Sequence, residues 1–316
     1  MMKVLASHIR TIADILKVMR PGIVAGGFFA FCLGVLLGRL ENQVFDTTRI
    51  ALGYLVVCLS DLSTHYSNDY FDARLTRARD RQKIFGGSDV LIRRPELRPL
   101  TLRIAVFLTT ISIVLAAVSV ILYGAPSELL LMTVAGNLLG WIYSAPPLRL
   151  SSRGLGEIAI AVGVGLGIPG AGYLVTKGRF DSLFLSLAIP FMMYGFVLSL
   201  SLEIPDMEDD LQAGKKTLVV RKGRSFSFLA VMALSSLATL SFFIYSTVAA
   251  SLQIINLKVV TVLSSIPLAT GITGFVKRRE KREQADPLSA ANIVALFLFN
   301  ISTDLYLATL LICSRP

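Results

Sequence analysis

Long apolar runs separated by short polar segments form the dominant pattern along this chain. Six runs contain no Lys, Arg, Asp or Glu, and they lie at 21–38, 104–127, 129–148, 158–176, 182–202 and 259–276. Each is long enough to cross roughly 30 Å of hydrocarbon as a helix. Three more helices are predicted at 48–67, within 225–257 and at 288–312. The pattern therefore predicts an all-α, multi-span membrane protein with nine transmembrane helices.

The composition also favours a membrane protein. The chain has 316 residues, of which 54% are hydrophobic and 16% are charged. Soluble proteins carry about 25% charged residues, so a water-soluble globular domain is excluded. We predict one intramembrane domain over 1–316, whose expected parts are an interfacial helix (1–18), a first four-helix half (19–144), a second four-helix half (155–276) and a ninth helix (288–312). The interfacial helix is expected because its apolar residues share one face: Leu5, Ile9, Ile12 and Leu16.

The distribution of positive charge predicts the orientation of the chain. The net charge is +10, and 25 of the 31 Lys and Arg fall on the side of the predicted membrane that holds the N-terminus. Cytoplasmic loops are enriched in Lys and Arg, so we expect this side to face the cytoplasm and the protein to lie in the cell membrane. Because topology explains much of the charge, we expect the lipid bilayer as a partner and no nucleic acid.

Two acidic motifs end apolar runs on that same side. The first is Asn68-Asp69-Tyr70-Phe71-Asp72, and the second extends from Glu203 to Asp210 and includes Asp206. Residues four apart share a face of a helix, so Asn68 and Asp72 lie on one side. We expect the helices to bring the two motifs together around a central cavity that opens to the cytoplasmic side.

Gathered acids at a membrane boundary indicate a bound cation, because the carboxylates would otherwise repel each other. Mg²⁺ prefers oxygen ligands, keeps several waters and is usually shared with substrate phosphates. The adjoining loops supply Lys and Arg for a diphosphate, and the apolar helices leave room for a lipid tail. These features predict a Mg²⁺-dependent site for an isoprenyl diphosphate. The simpler alternative is that the acids are ordinary solvated charges at helix ends.

At these motifs the sequence resembles the UbiA-type intramembrane aromatic prenyltransferases. The resemblance extends from Arg20-Pro21 to about the eighth helix and rests on Asn68-Asp69-Tyr70-Phe71-Asp72, Phe85-Gly86-Gly87-Ser88, Tyr143-Ser144-Ala145-Pro146-Pro147, and Asp206-Met207-Glu208-Asp209-Asp210 with Gly214-Lys215-Lys216-Thr217-Leu218. The family's nine-helix fold agrees with the predicted count. The resemblance implies transfer of a prenyl group from its diphosphate to an aromatic acceptor, with Mg²⁺ as the cofactor.

The resemblance also implies roles for individual residues. The ligands of Mg²⁺ would be Asn68 and Asp72, with Asp69 close by, and Asp206 and Asp210 from the second motif. The diphosphate would be held by a further set of side chains: Lys83, Arg149, Arg153, Lys215 and Tyr143. The residues expected to be catalytic are Asn68, Asp72, Tyr143, Asp206 and Asp210.

The expected acceptor follows from the same resemblance. The Gly-Gly-Ser and Gly-Lys-Lys-Thr-Leu stretches most resemble the menaquinone-type subgroup, which prenylates 1,4-dihydroxy-2-naphthoate with loss of its carboxylate. Another lipid acceptor, such as geranylgeranylglyceryl phosphate, is the alternative within the enzyme class. A cation transporter is the alternative of another class, but transporter acids lie near the bilayer midplane, whereas these cluster at helix ends.

Some positions depart from the family pattern or lie inside predicted membrane helices. Thr76 follows the first motif where an acid is usual, Glu203 precedes the second motif where Asn is frequent, and His65 stands where relatives often carry Asn. His65 could contact an acceptor hydroxyl, but we expect a packing histidine. Asp304, an acid within the ninth helix, is expected to be a paired or protonated structural residue, and Asp61 has no assigned role.

Overall fold

The computed structural model describes residues 2–41, 46–73, 88–248 and 255–313, is 88% helical and has no strand in these ranges. The α-helices are α1 (Met2–Val18), α2 (Pro21–Glu41), α3 (Thr47–Asp72), α4 (Val90–Arg93), α5 (Arg98–Tyr123), α6 (Ser127–Ser144), α7 (Leu150–Arg153), α8 (Gly156–Val162), α9 (Ile168–Lys177), α10 (Ser182–Glu203), α11 (Met207–Gln212), α12 (Leu218–Val248), α13 (Leu257–Leu263), α14 (Ser265–Val276) and α15 (Arg282–Cys313). A π-helical segment, Gly163–Gly167, joins α8 to α9. The predicted all-α class is confirmed.

Seven helical segments of the described chain are long and apolar enough to cross a membrane: Pro21–Leu40, Pro95–Tyr123, Gly156–Lys177, Ser182–Gln212, Leu218–Val248, Leu257–Val276 and Arg282–Cys313. The two other predicted spans are α3, with 26 residues, and α6, with 18. Helix α3 carries Asp61, His65 and the first acidic motif, which make it less apolar. A multi-span protein is therefore confirmed, whereas the count of nine spans and the division into two halves stay predictions.

The polar residues of α3 that face other helices are joined to them by hydrogen bonds. The hydroxyl groups of Ser63 and Thr109 are 2.6 Å apart, which links α3 to α5. The Asn137 amide of α6 donates to Ser60 of α3 and to Ser112 of α5, at 3.0 Å in both cases. Such bonds hold helices together where lipid offers no competing partner, so they fix the orientation of the first motif.

Glycines allow α2 and α9 to pack with their backbones in contact. A Cβ atom added to Gly34 would lie 1.9 Å from the Pro169 carbonyl oxygen, and one added to Gly172 would lie 2.2 Å from that of Phe31. Small residues at helix interfaces permit this close approach. The contact places the π-helical segment, which precedes α9, in the wall of a central cavity.

The cavity has a volume of about 340 Å³. Its wall comes mainly from α3, α6, α8, α9, α10 and the π-helical segment, and both acidic motifs contribute to it. The predicted central cavity is thus present, and its opening to the cytoplasmic side stays a prediction.

Helix α1 is attached to the end of α3. The Tyr66 hydroxyl donates to the Ile15 carbonyl at 3.1 Å, and Arg94 forms an ion pair with Asp14 at 2.9 Å. At least half of the surface is exposed for Ile9, Ile12 and Leu16. These three belong to the apolar face that the sequence predicts, and a position in the membrane surface stays a prediction.

Candidate active site

Lys215 connects the two acidic motifs at the cavity. Its Nζ atom lies 2.9 Å from Asp72 Oδ2, at the end of α3, and 3.3 Å from Asp210 Oδ1, in α11. Burial opposes the charge of Lys215, but the two carboxylates outweigh this effect and raise its pKa. The ammonium therefore stays charged and neutralises part of the repulsion between the motifs.

The chain reaches this geometry through two local turns. Helix α10 ends at Glu203, and a 3₁₀ turn at Ile204–Asp206 leads into α11. Gly214 then adopts a positive φ of 71°, which glycine tolerates because it has no Cβ atom. The turn lets the Lys215 backbone N–H donate to the Asp210 carbonyl at 2.9 Å, so the lysine folds back onto the motif it follows.

The other polar residues of the first motif have different partners. Asp69 forms an ion pair with Arg20, and its second oxygen accepts from the Ser88 hydroxyl at 2.5 Å. Asn68 Oδ1 accepts a hydrogen bond of 2.8 Å from Ser144. Asp69 and Asn68 are adjacent in sequence, so their side chains leave the helix in different directions. Asp69 holds Arg20 against the cavity, and a direct role in metal binding stays a prediction.

The second motif is supported from the side away from the cavity. The Arg224 guanidinium is 1% exposed, binds Glu208 with two hydrogen bonds of 2.6 and 2.5 Å, and donates to the Ile204 and Glu280 carbonyls. Arg282 binds Asp209 at 2.5 Å. These two arginines belong to α12 and α15, so the scaffold helices hold the outer acids of α11 in place.

The remaining predicted residues do not all reach the cavity. Tyr143 and Asp206 line it. Neither Arg149 nor Arg153 is among the described residues that line the cavity. Arg153 is exposed and donates to the Pro147 carbonyl at 2.8 Å. Lys83 lies outside the described residues.

Sequence reasoning assigned no role to two polar residues of the cavity wall, Arg20 and Glu203, or to Glu157, which interacts with Glu203. Arg20 lines the cavity. It lies beside an apolar run on the side of the acidic motifs, but this position is common to Arg149 and Arg153 and did not distinguish it. Glu157 is 2% exposed and accepts from the Leu218 N–H at 2.5 Å. Glu203 lines the cavity and accepts from Ser199 at 3.0 Å. No sequence spacing pointed to Glu157, because its partner is a backbone group 61 residues away.

The oxygen-rich site suits a cation that shares its ligands with a substrate. Among the described residues, no group of three or more His, Cys, Asp or Glu side chains converges closely enough to hold a metal ion alone. Asp72 and Asp210 nevertheless meet at one ammonium, and Asp206 lines the same cavity. Mg²⁺ usually completes such an incomplete set of carboxylates with water and phosphate oxygens. The residues present therefore fit Mg²⁺ bound together with a phosphate group.

Below the motifs the cavity is largely apolar. Its wall includes Val56, Leu129, Met132, Ile160, Val164 and Leu198. A smaller cavity of about 110 Å³ has wall residues in common with it, among them Ile23, Asp61 and Ile168. A charged end and an apolar interior match an amphiphilic ligand with a polar head and a hydrocarbon tail.

Comparison with known proteins gives a consistent family. Residues 27–301 match the family model of the UbiA prenyltransferase family. The 1,4-dihydroxy-2-naphthoate octaprenyltransferase of Bacillus subtilis (strain 168) is 23% identical over 208 residues, which are 66% of this chain and 65% of that protein. The matched part thus spans slightly less than two thirds of the relative's length.

Solved structures share the fold. A UbiA homolog from Archaeoglobus fulgidus bound to DMAPP and Mg²⁺ superposes with a TM-score of 0.66 at 18% identity, over 92% of this chain and 98% of that one. A structure of a digeranylgeranylglyceryl phosphate synthase gives a TM-score of 0.66 at 14% identity, over 95% and 99% of the two chains.

Proposed function

Because the chain belongs to the UbiA prenyltransferase family, we propose that it transfers a polyprenyl group from its diphosphate to an aromatic acceptor in a Mg²⁺-dependent reaction. The observation that carries this proposal is the Lys215 ammonium between Asp72 and Asp210, at the charged end of an apolar cavity. The carboxylates suit a divalent cation, the ammonium suits a diphosphate, and the apolar wall suits a prenyl tail.

Acidic residues would bind the metal ion, and basic residues would stabilise the charge of the diphosphate. Mg²⁺, held by Asn68, Asp72, Asp206 and Asp210, would neutralise the charge that develops on the leaving group. Lys215, paired with Asp72, and Arg20, paired with Asp69, both line the cavity, and such preorganised positive charge would favour departure of the diphosphate. Two structures of a UbiA homolog from Archaeoglobus fulgidus with this fold contain DMAPP or GPP together with Mg²⁺, which supports the assignment.

Tyr143 is our candidate for the aromatic residue that meets the allylic carbon. It lines the cavity at the end of α6, and a Cβ atom on Gly156 would lie 3.3 Å from its ring. The face of an aromatic ring attracts a cation, so Tyr143 would stabilise positive charge as the diphosphate leaves. It would also exclude water from the reacting carbon.

We infer 1,4-dihydroxy-2-naphthoate as the acceptor and the cell membrane as the location, with the N-terminus in the cytoplasm. The acceptor rests on the name of the Bacillus subtilis relative and on the sequence stretches described above. Geranylgeranylglyceryl phosphate is the second candidate, because a synthase of its prenylated product has an equally similar fold. The orientation rests on the distribution of Lys and Arg.

A transfer assay in detergent tests this proposal. The purified protein receives Mg²⁺, radiolabelled geranylgeranyl diphosphate and one acceptor at a time. We expect prenylated product with 1,4-dihydroxy-2-naphthoate and none when EDTA removes Mg²⁺. Product with geranylgeranylglyceryl phosphate alone would overturn the acceptor and keep the reaction type. If Mg²⁺ and the diphosphate together fail to raise the melting temperature, the prenyl diphosphate site itself is wrong.

A further inference from the structure

Two polar side chains lie inside the cavity without a role in the reaction described so far. Asp61 and His65 belong to the face of α3 that ends in Asn68, and both line the cavity wall. His65 is only 7% exposed. Its Nε2 atom is buried and has no hydrogen-bond partner among the described residues. Asp61 Oδ1 lies 3.6 Å from this nitrogen, which is too long for a hydrogen bond.

The two side chains have the chemistry of a site for one small polar group that bridges them from the cavity. Buried polar atoms in native proteins almost always have partners, so an unpartnered one in a cavity wall marks a place where a ligand completes the bonding. A carboxylate can only accept a hydrogen bond, and a protonated ring nitrogen can only donate one. A hydroxyl group does both, and therefore complements Asp61 and His65 at the same time.

The pair also lies deeper in the cavity than the proposed metal site, where the acceptor would have to lie next to the prenyl group. A helix rises 1.5 Å per residue, so His65 is about one turn further into the cavity than Asn68. Asp61 belongs to the walls of both cavities. Gly27 of α2 packs beside it, since an added Cβ atom would be in van der Waals contact with Asp61 Oδ2, at 3.7 Å. An acceptor ring bound by the pair would therefore lie in the same cavity as the acidic motifs, about one helical turn from Asn68.

We propose that Asp61 and His65 form the acceptor-binding pair, whose carboxylate and imidazole are bridged from the cavity side by one hydroxyl group of the aromatic acceptor. The proposal deepens the proposed function and rests on it. The hydroxyl donates to Asp61 Oδ1 and accepts from His65 Nε2–H. A prenyl tail has no polar group to offer, so the pair discriminates the acceptor from the donor substrate. His65 is then a binding residue, in contrast to the packing role expected from the sequence.

Variants of His65 test the pair through the two Michaelis constants. In His65→Leu we expect the KM for 1,4-dihydroxy-2-naphthoate to rise about 10- to 100-fold, as the loss of one hydrogen bond to a charged or polar partner predicts. The KM for the prenyl diphosphate should not change. His65→Gln keeps a donor at a similar distance and should restore most of the affinity. A rise in the KM for the diphosphate instead of the acceptor would overturn the proposal.

Acceptor analogues give a readout that a structural role of His65 would not produce. Each monomethyl ether of the naphthoate lacks one hydroxyl donor. We expect the wild-type protein to bind one ether more weakly than the parent, because that ether cannot donate to Asp61 and its methyl group displaces the oxygen from His65. In His65→Leu we expect a smaller penalty for the same ether, because the contact with His65 is already absent. If the penalties of the ether and the substitution multiply independently, the hydroxyl does not bridge these two residues.

Ser63→Ala is the matched control. Ser63 is also a buried polar residue of α3, but its hydroxyl bonds to the Ala105 carbonyl at 3.0 Å, away from the cavity wall. This variant should keep both Michaelis constants. If His65→Leu lowers the melting temperature far more than Ser63→Ala does, His65→Gln and the wild-type ether comparison still decide.

Direct binding separates failure of this proposal from failure of the proposed function. Calorimetry with 1,4-dihydroxy-2-naphthoate alone measures acceptor binding without turnover. Weaker binding in His65→Leu supports the pair even if no acceptor is prenylated. Equal binding in both proteins, or no binding to the wild type, overturns the pair even if prenyl transfer is confirmed.

Discussion

The two acidic motifs follow the same plan in sequence but are held in place by different means. In the first motif, Asp69 is bound by Arg20 and Ser88, which both line the cavity. In the second, Glu208 is bound by Arg224, whose helix is part of the outer scaffold. The first motif is therefore linked to groups that can touch a substrate, and the second is linked to the body of the protein. Substitutions around the first should change substrate affinity, and those around the second should change stability.

The largest expected effect is common to both motifs. Asp72→Ala and Asp206→Ala each remove a carboxylate from the proposed metal site, and such a site supplies several kcal/mol of charge stabilisation. We expect prenyl transfer to fall about 10³-fold or more, while circular dichroism shows an unchanged helical content. Full activity in either variant would exclude the metal site as proposed.

The next effect concerns the residue where the motifs meet. Lys215→Gln removes the ammonium shared by Asp72 and Asp210, so the carboxylates repel each other and the diphosphate loses a cationic partner. By analogy with the loss of one preorganised charge-stabilising group, we expect kcat/KM to fall about 10²- to 10³-fold. Lys215→Arg keeps the charge and should lose less. Equal losses in Gln and Arg would mean that the shape of lysine matters and its charge does not.

The smallest loss of activity is expected on the scaffold side. Arg224→Met leaves the Ile204 and Glu280 carbonyls without their donor and should lower the free energy of unfolding by about 2–3 kcal/mol. Glu208 is 42% exposed and can be hydrated, which limits the effect. We expect a lower melting temperature and a KM for the prenyl diphosphate close to that of the wild type.

Arg153→Met is the control for Arg224→Met, because the same change is made at an exposed arginine. Melting temperature and kinetics should match the wild type. A raised KM for the prenyl diphosphate would instead restore the role that the sequence predicted for Arg153.

The sequence predicted the helices and the convergence of the motifs well, because both depend on local patterns. Apolar runs set the spans, and Lys215 follows its motif directly along the chain. Element ends were less accurate. The segment α12 begins at Leu218, although the predicted segment began at 225, because a short basic helical segment precedes a kink at the non-helical Gly223, where φ is 81°. The long helix starts only after this kink, next to the predicted start. Charged residues beyond a span can stay helical, and hydropathy does not detect this.

Partners across the fold were the part that the sequence could not supply. Arg20, Arg149 and Arg153 are all cationic residues beside an apolar run, and nothing in their spacing shows which one faces the cavity. The structure places Arg20 there and turns Arg153 outward after Pro147. The sequence likewise placed His65 on the correct helix face but could not reveal that its Nε2 would lack a partner among the described residues. The orientation and the partners of a side chain depend on contacts between segments that are distant in sequence.

The π-helical segment lets the width of the cavity depend on a single position, residue 163. Gly163 lines the cavity, and a Cβ atom added there would meet no described atom within 4 Å. Its neighbour Gly165 packs so closely on α10 that an added Cβ atom would lie 2.5 Å from Met192. Gly165 thus allows close packing of the π-helical segment on α10, while Gly163 leaves free volume in the cavity. A larger side chain at position 163 would therefore narrow the cavity without displacing the π-helical segment from α10.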